Sequence, residues 1–329
     1  MSTINRSPRA LISRLMGAAT ALTLVMGLSA QAAPQVATDI TPVHSLVSQV
    51  MDGVGEPALV IQRGASPHSY SLRPSEAAAL EDAEIVFWIG PALTPWLANG
   101  LDNLAGDARQ VGLLAASVTD QRMFREDGHD HADAHDHDAH DHEAHEPEGD
   151  EAHDHAHDGV DPHAWLDPGN ARAWLGLIAD TLADADPANA AVYQRNARAA
   201  QSRLTELTAT IDQQLAPVRD TPYIVFHDAY QYFEARFGLN HAGAIALSDA
   251  SDPSPARIAR VRDAVAEADV RCVFAEPQFN PGLVASVVDG TGADTGVLDP
   301  LGSDIPSGAS FYPALLRDLA DRMMDCLGN

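Results

Sequence analysis

Residues 223–237, YIVFHDAYQYFEARF, change periodicity without a linker. The run 223–226 is β-branched and aromatic and too short for a helix, so it reads as a buried strand. From 229 to 237 the apolar residues fall three or four apart, which predicts a helix. A strand feeding directly into a helix is the repeating unit of an α/β layer. The same reading extends toward the C-terminus. Strands are predicted at 241–246, 271–275 (RCVFA) and 295–298, with helices at 255–267, 281–289 and 310–326.

It also holds toward the N-terminus. A strand at 35–40 precedes a helix opened by Pro42 and stopped by glycine in HSLVSQVMDGVG. Strands at 58–62 (ALVIQ) and 84–89 (EIVFWI) flank a helix at 75–82. Between the two sets lie helices at 168–182 and 187–215. The second is free of internal Gly and Pro, with Ala200, Leu204, Leu207, Ile211 and Leu215 on one face. At 1.5 Å per residue it spans roughly 40 Å, long enough to join two lobes. The expected fold is therefore α/β, with two lobes, each a parallel sheet flanked by helices, joined by one long rigid helix. The boundaries read as an N-terminal lobe at 33–185, the linking helix at 186–217 and a C-terminal lobe at 218–329.

The first 32 residues carry Arg6, Arg9 and Arg14, a short apolar run and the small-x-small triplet Ala30-Gln31-Ala32. This pattern predicts a cleaved secretory signal peptide and a periplasmic address. In an oxidising compartment Cys272 and Cys326 are expected to pair; the alternative is two buried thiols. All 20 basic residues are arginine, which excludes a Walker-type phosphate loop and lysine-based catalysis. The net charge of −27 disfavours nucleic acid and anionic lipid and favours cations.

About half of that charge lies in one segment. Residues 126–158 hold 14 acids and no base, together with His129, His131, His135, His137, His140, His142, His145, His153, His155 and His157. The insertion, taken as 126–159, lacks the apolar residues needed to offset its ordering entropy and reads as a disordered surface segment. Its imidazoles are candidate auxiliary metal ligands.

Five histidines remain. His68 follows strand ALVIQ in a loop, His163 lies in DPHAWLDP before a helix, and His227 follows YIVF. Ligands of open α/β folds gather at the carboxyl ends of strands, so separate loops can bring these three together. Three imidazoles and one oxygen suit Zn²⁺. Asp299 in VLDPLG is a candidate fourth ligand, and Glu276 in FAEPQF a candidate ligand or orienting partner; a water is the other possibility. His44 reads as a surface residue at a helix start and His241 as structural.

The segments GASPHSYSLRPSEAAALEDAEIVFWIGP, DPHAWLDPGNAR, HDAYQYFEARFGL, CVFAEPQF and VLDPLG, in this order, resemble the ZnuA-type zinc-binding receptors of bacterial high-affinity zinc ABC importers. The resemblance covers essentially the whole chain after the signal. It implies metal held between two lobes by His68, His163 and His227, with Asp299 at the position of a fourth carboxylate. It implies a Cys272–Cys326 disulfide, a membrane permease and ATPase as partners, no enzymatic activity and action as a monomer. Manganese-binding members carry glutamate at the position of His227, and some zinc receptors carry a glutamate where this chain has Pro67. A secreted zinc hydrolase and a zinc-storage or adhesion protein are the rival classes; the chain has no H-E-x-x-H helix.

Overall fold

The computed structural model describes residues 1–3, 33–125, 159–246 and 254–328. Ala33–Asn329 forms one unit and carries everything below, while Met1–Ala32 forms another. The N-terminal half alternates β1 (Val36–Thr38), α1 (Thr41–Met51), β2 (Ala58–Leu59), α2 (Pro74–Glu81), β3 (Ile85–Trp88), α3 (Pro95–Leu104) and β4 (Arg109–Gly112). Helices α4 (Pro168–Ala185) and α5 (Ala190–Leu215) follow. The C-terminal half repeats the alternation with β5 (Tyr223–His227), α6 (Gln231–Phe237), β6 (His241–Ala246), α7 (Pro255–Glu267), β7 (Cys272–Ala275), α8 (Pro281–Val288), β8 (Asp294–Val297) and α9 (Phe311–Leu327).

Among the described residues, β1 to β8 pair in parallel, in two four-stranded sheets ordered β2-β1-β3-β4 and β6-β5-β7-β8. Each sheet thus reverses its winding beside its first strand, between β1 and β3 and between β5 and β7. Such a switch point leaves a crevice at the carboxyl ends of the two strands. Asp39 fills the first crevice: its carboxylate accepts from the Ile40 and Ile89 N–H groups, both at 2.7 Å, tying the end of β1 to the end of β3. The second holds His227 and Glu276.

The central strands are buried on both faces, as parallel sheets require. Tyr223 and Val225 of β5 face the main core, while Ile224 and Phe226 face a smaller cluster under α7 and α8. The long helix α5 has 26 residues and buries Tyr193, Ala197, Ala200, Leu204, Leu207, Ile211 and Leu215 against α4, α1 and α9. It starts at Ala190 rather than at 187, because Asp186 accepts from Asn189 and from the Tyr193 hydroxyl and holds 187–189 in a turn. Strand β2 is shorter than its apolar run. The Val60 and Ile61 N–H groups still bond to Thr38 and Asp39, and the chain then turns away toward His68.

Helix α9 returns to the N-terminal half. Ser45 of α1 donates to the Ala309 carbonyl and accepts from the Tyr312 N–H, and the Tyr312 hydroxyl donates to the Trp165 carbonyl. Cys272 and Cys326 form a disulfide that pins α9 to β7. Helix α6 is locked to α4: Arg236 forks onto Asp167, the N-cap of α4, with both contacts at 2.6 Å. Gly169 leaves room for this fork, since a Cβ there would crowd the Arg236 guanidinium. His44 is a correction to the sequence reading. It is buried, with Nε2 against the Pro57 carbonyl, because α1 is covered on nearly every side.

Candidate metal centre

His227 is the last residue of β5 and emerges at the β5–β7 switch point. Its Nδ1 faces both oxygens of Glu276, the residue after β7, at 2.9 and 3.1 Å. His163 stands at the start of a short 3-10 turn, Ala164–Leu166. Its Nδ1 lies 2.7 Å from Asp161 Oδ1, which also accepts the His163 N–H at 2.9 Å. His68 comes from the loop between β2 and α2, where its N–H donates to Ser66 Oγ and Trp96 Nε1 braces the Pro67 carbonyl.

These three segments converge. One ligand atom from each of His68, His163 and His227 lies within 4.8 Å of the others. The Nε2 atoms of His163 and His227 are 3.2 Å apart. A carboxylate at Nδ1 fixes the tautomer that protonates Nδ1 and leaves the Nε2 lone pair for a cation. Two nitrogens held ~2.0–2.1 Å from a tetrahedral ion sit roughly 3.3 Å apart, so the His163–His227 spacing fits a shared zinc. With Nδ1 protonated on both rings, the two Nε2 lone pairs would face each other, and a cation between them turns that repulsion into shared coordination.

Glu276 stands behind His227, on the far side of the imidazole from its Nε2. Asp299 follows β8 as expected but does not join the three-histidine group. Its Oδ1 accepts from the Leu301 N–H and Gln278 Nε2, both at 3.0 Å, and its Oδ2 accepts from the Ser303 N–H at 2.6 Å. The ten histidines of the insertion, His129 to His157, lie outside the described residues.

The cleft around the imidazoles is walled by Pro67, Trp165, Phe279, Pro300 and Leu301, with Gln278 among them. Such walls lower the local dielectric and strengthen binding of a cation to its ligands. Gln278 turns its amide N–H₂ to Asp299 and Ser303, which leaves its buried Oε1 without a hydrogen-bond partner. Burial pushes the Asp161 carboxyl up to about 7, opposed by the His163 N–H that it accepts. Neither Asp161 nor Gln278 was picked out from sequence. The available signals were an acid two residues before His163 and an amide two residues after Glu276.

A second group, Asp228, Glu234 and His241, is also close-set. Arg125 already supplies its positive charge through ion pairs to Asp228 and Glu234, and His241 Nδ1 bonds Glu234 at 3.0 Å.

A sequence profile described as "Zinc-uptake complex component A periplasmic" matches residues 36–326. The "High-affinity zinc uptake system protein ZnuA" of Brucella abortus (strain 2308) is 46% identical over 304 residues, covering 89% of this chain and 91% of that protein. The protein of the same name from Paracoccus denitrificans is 41% identical over 300 residues, covering 90% and 92%. Among solved structures, a ZnuA crystal structure superposes with a TM-score of 0.72 at 23% identity, covering 90% of this chain and 99% of that one. The manganese complex of FpvC from Pseudomonas aeruginosa gives the same TM-score at 21% identity, with 90% and 99% covered. At such identities these two structures speak to the fold alone.

Proposed function

The chain belongs to the periplasmic zinc-uptake complex component A family, and on that premise we propose that it captures Zn²⁺ between its two sheets and delivers it to the permease and ATPase of a zinc ABC transporter. The observation that carries this reading is the meeting of three imidazoles from three separate stretches of chain, two of them with Nε2 atoms 3.2 Å apart. Zinc is cargo here. The relatives are uptake proteins, and the chain is a carrier rather than an enzyme. His68, His163 and His227 are the ligands. Glu276 and Asp161 hold the rings of His227 and His163 and offset part of the metal's charge.

A water fills the fourth position. The oxygens of Asp299 are occupied by loop N–H groups and Gln278, and Glu276 is occupied by His227, which supports water over either carboxylate. The unpartnered Oε1 of Gln278 is the acceptor for that water. Release follows from the division of the ligands. His68 comes from the β2–α2 loop of the first sheet, whereas His163 and His227 are both tied to α6, so withdrawing the His68 loop strips zinc of one imidazole.

The His-rich insertion acts as an auxiliary collector or sensor. Read from composition, a ligand set there must be assembled by ordering the chain, and that entropy weakens binding relative to imidazoles already in place. The protein is exported by a cleaved signal peptide, residues 1–32, and works in the periplasm as a single chain. Among the described residues no helix is long and apolar enough to cross a membrane. Titration calorimetry tests the division of labour. Deleting residues 129–157 lowers the zinc stoichiometry and leaves one tight site, whereas His227→Ala abolishes the tight site. A deletion that removes tight binding refutes the assignment.

A further inference from the structure

The residues on either side of the insertion form a small antiparallel stem. Met123 bridges Val160, the Phe124 N–H donates to Gly159, and the Asp161 N–H donates to Arg122 at 2.8 Å. The stem does not stand free. It lies on α6, the helix that starts four residues after His227. The Tyr232 hydroxyl accepts from the Arg122 N–H at 2.8 Å and donates to the Asp161 carbonyl at 2.9 Å, so one buried oxygen touches both strands. Gln231 Nε2 donates to the Met123 carbonyl at 3.0 Å. Arg125, two residues beyond the bridged Met123, is ion-paired with Glu234 of α6 and with Asp228, the neighbour of His227.

Asp161 is therefore two things at once. Its backbone is the end of the stem, and its side chain is the group that aims His163. The path runs from α6 through the Tyr232 hydroxyl to Asp161, then to Nδ1 of His163, and ends at the Nε2 that faces His227.

We propose that Tyr232 and Arg125 are positioning residues for the metal centre: they clamp the stem to α6, and the clamped stem holds Asp161 and His163 at the separation from His227 that one ion spans. This rests on the three-histidine reading above. Without the clamp the stem loses its ties to α6 on the Asp161 side, and the Asp161–His163 pair is anchored only from the other side, where Trp165 bonds Tyr312 and Pro300. Its distance from His227 then spreads over a range in which fewer states suit the ion. Groups one step behind a ligand, as Asp161 is here, commonly contribute 10–100-fold to metal affinity, and the lower end of that range bounds what the clamp behind Asp161 contributes.

Tyr232→Phe is the decisive variant, because it deletes one oxygen and keeps the ring in the core. In the full-length protein, zinc affinity measured by chelator competition is expected to fall about 10-fold, with faster release. The visible absorption of bound Co²⁺ shifts, because the ligand geometry has changed, while the melting temperature of the metal-free protein moves little. Arg125→Met acts in the same direction and Arg125→Lys recovers part of the loss. Wild-type zinc affinity and an unchanged Co²⁺ spectrum in Tyr232→Phe overturn the proposal. So does an affinity loss fully matched by destabilisation of the metal-free protein, since that describes a core tyrosine and no more. His227→Ala separates the two readings. If it keeps tight zinc binding, the site assignment itself falls; if it loses binding while Tyr232→Phe is unaffected, only the clamp falls.

Discussion

At the scale of single residues the centre works by pairing each buried imidazole with something that determines which nitrogen faces inward. Glu276 does this for His227 and Asp161 for His163. Glu276→Gln keeps the shape and removes the charge, and its zinc affinity is expected to drop 10–100-fold in chelator competition, with the site still present. Asp39 occupies the corresponding crevice of the first sheet and has a structural task. Burial raises its carboxyl to about 7, against the lowering by the Ile89 and Ile40 N–H groups it accepts. An unfolded aspartate titrates near 3.9, so between about 4 and 7 the folded chain keeps a proton that the unfolded chain has lost. Stability from this group is thus complete below about 4 and is lost as pH rises through about 7, a difference of roughly 4 kcal/mol. Asp39→Asn should flatten that slope, measured by urea unfolding of the metal-free protein at pH 4.5 and pH 8.

Among the elements, the strand ends carry the chemistry and the helices hold the strand ends in place. The disulfide ties β7, which precedes Glu276, to α9, which reaches back to α1. It closes a loop of 54 residues, a constraint of about 4 kcal/mol in the chain-entropy account. The double variant Cys272→Ala, Cys326→Ala is expected to lose up to that much in chemical denaturation. It should bind zinc with near-normal affinity wherever it remains folded, since neither cysteine is in the three-histidine group. Most elements were legible from apolar spacing. Helix α3 and strand β4 were not: PWLANGLDNL breaks its pattern with Asn and Gly, and RQVG offers one valine on an edge strand with exposed residues. An edge strand is held by the ladder beside it and needs little apolar side chain of its own.

Across the whole molecule the two halves meet through Arg236 on Asp167, Arg125 on Asp228 and Glu234, Tyr312 on Trp165, and the three imidazoles. Imidazole binds a cation in its neutral form, so zinc competes with protons at up to three rings at once. Affinity at the tight site should fall steeply below about pH 6, by more than one decade per pH unit. Calorimetry from pH 7.5 to pH 5 measures this; a constant affinity over that range contradicts an imidazole site.

The sequence by itself determined the alternation of strands and helices, the long helix, and the location of His68, His163 and His227 at the ends of elements. Those features follow from interactions between residues near in the chain: apolar period, turn chemistry and caps. It also showed that Asp299 follows a strand, but not that its carboxylate turns onto the Leu301 and Ser303 N–H groups. Only the tertiary structure decided which nitrogens face one another, and that Asp161, Gln278 and Tyr232 belong to the same assembly. The His163–His227 contact joins residues 64 apart and the Tyr232–Arg122 bond residues 110 apart. Such pairs are set by how two packed sheets meet, and no local pattern in the chain encodes that meeting.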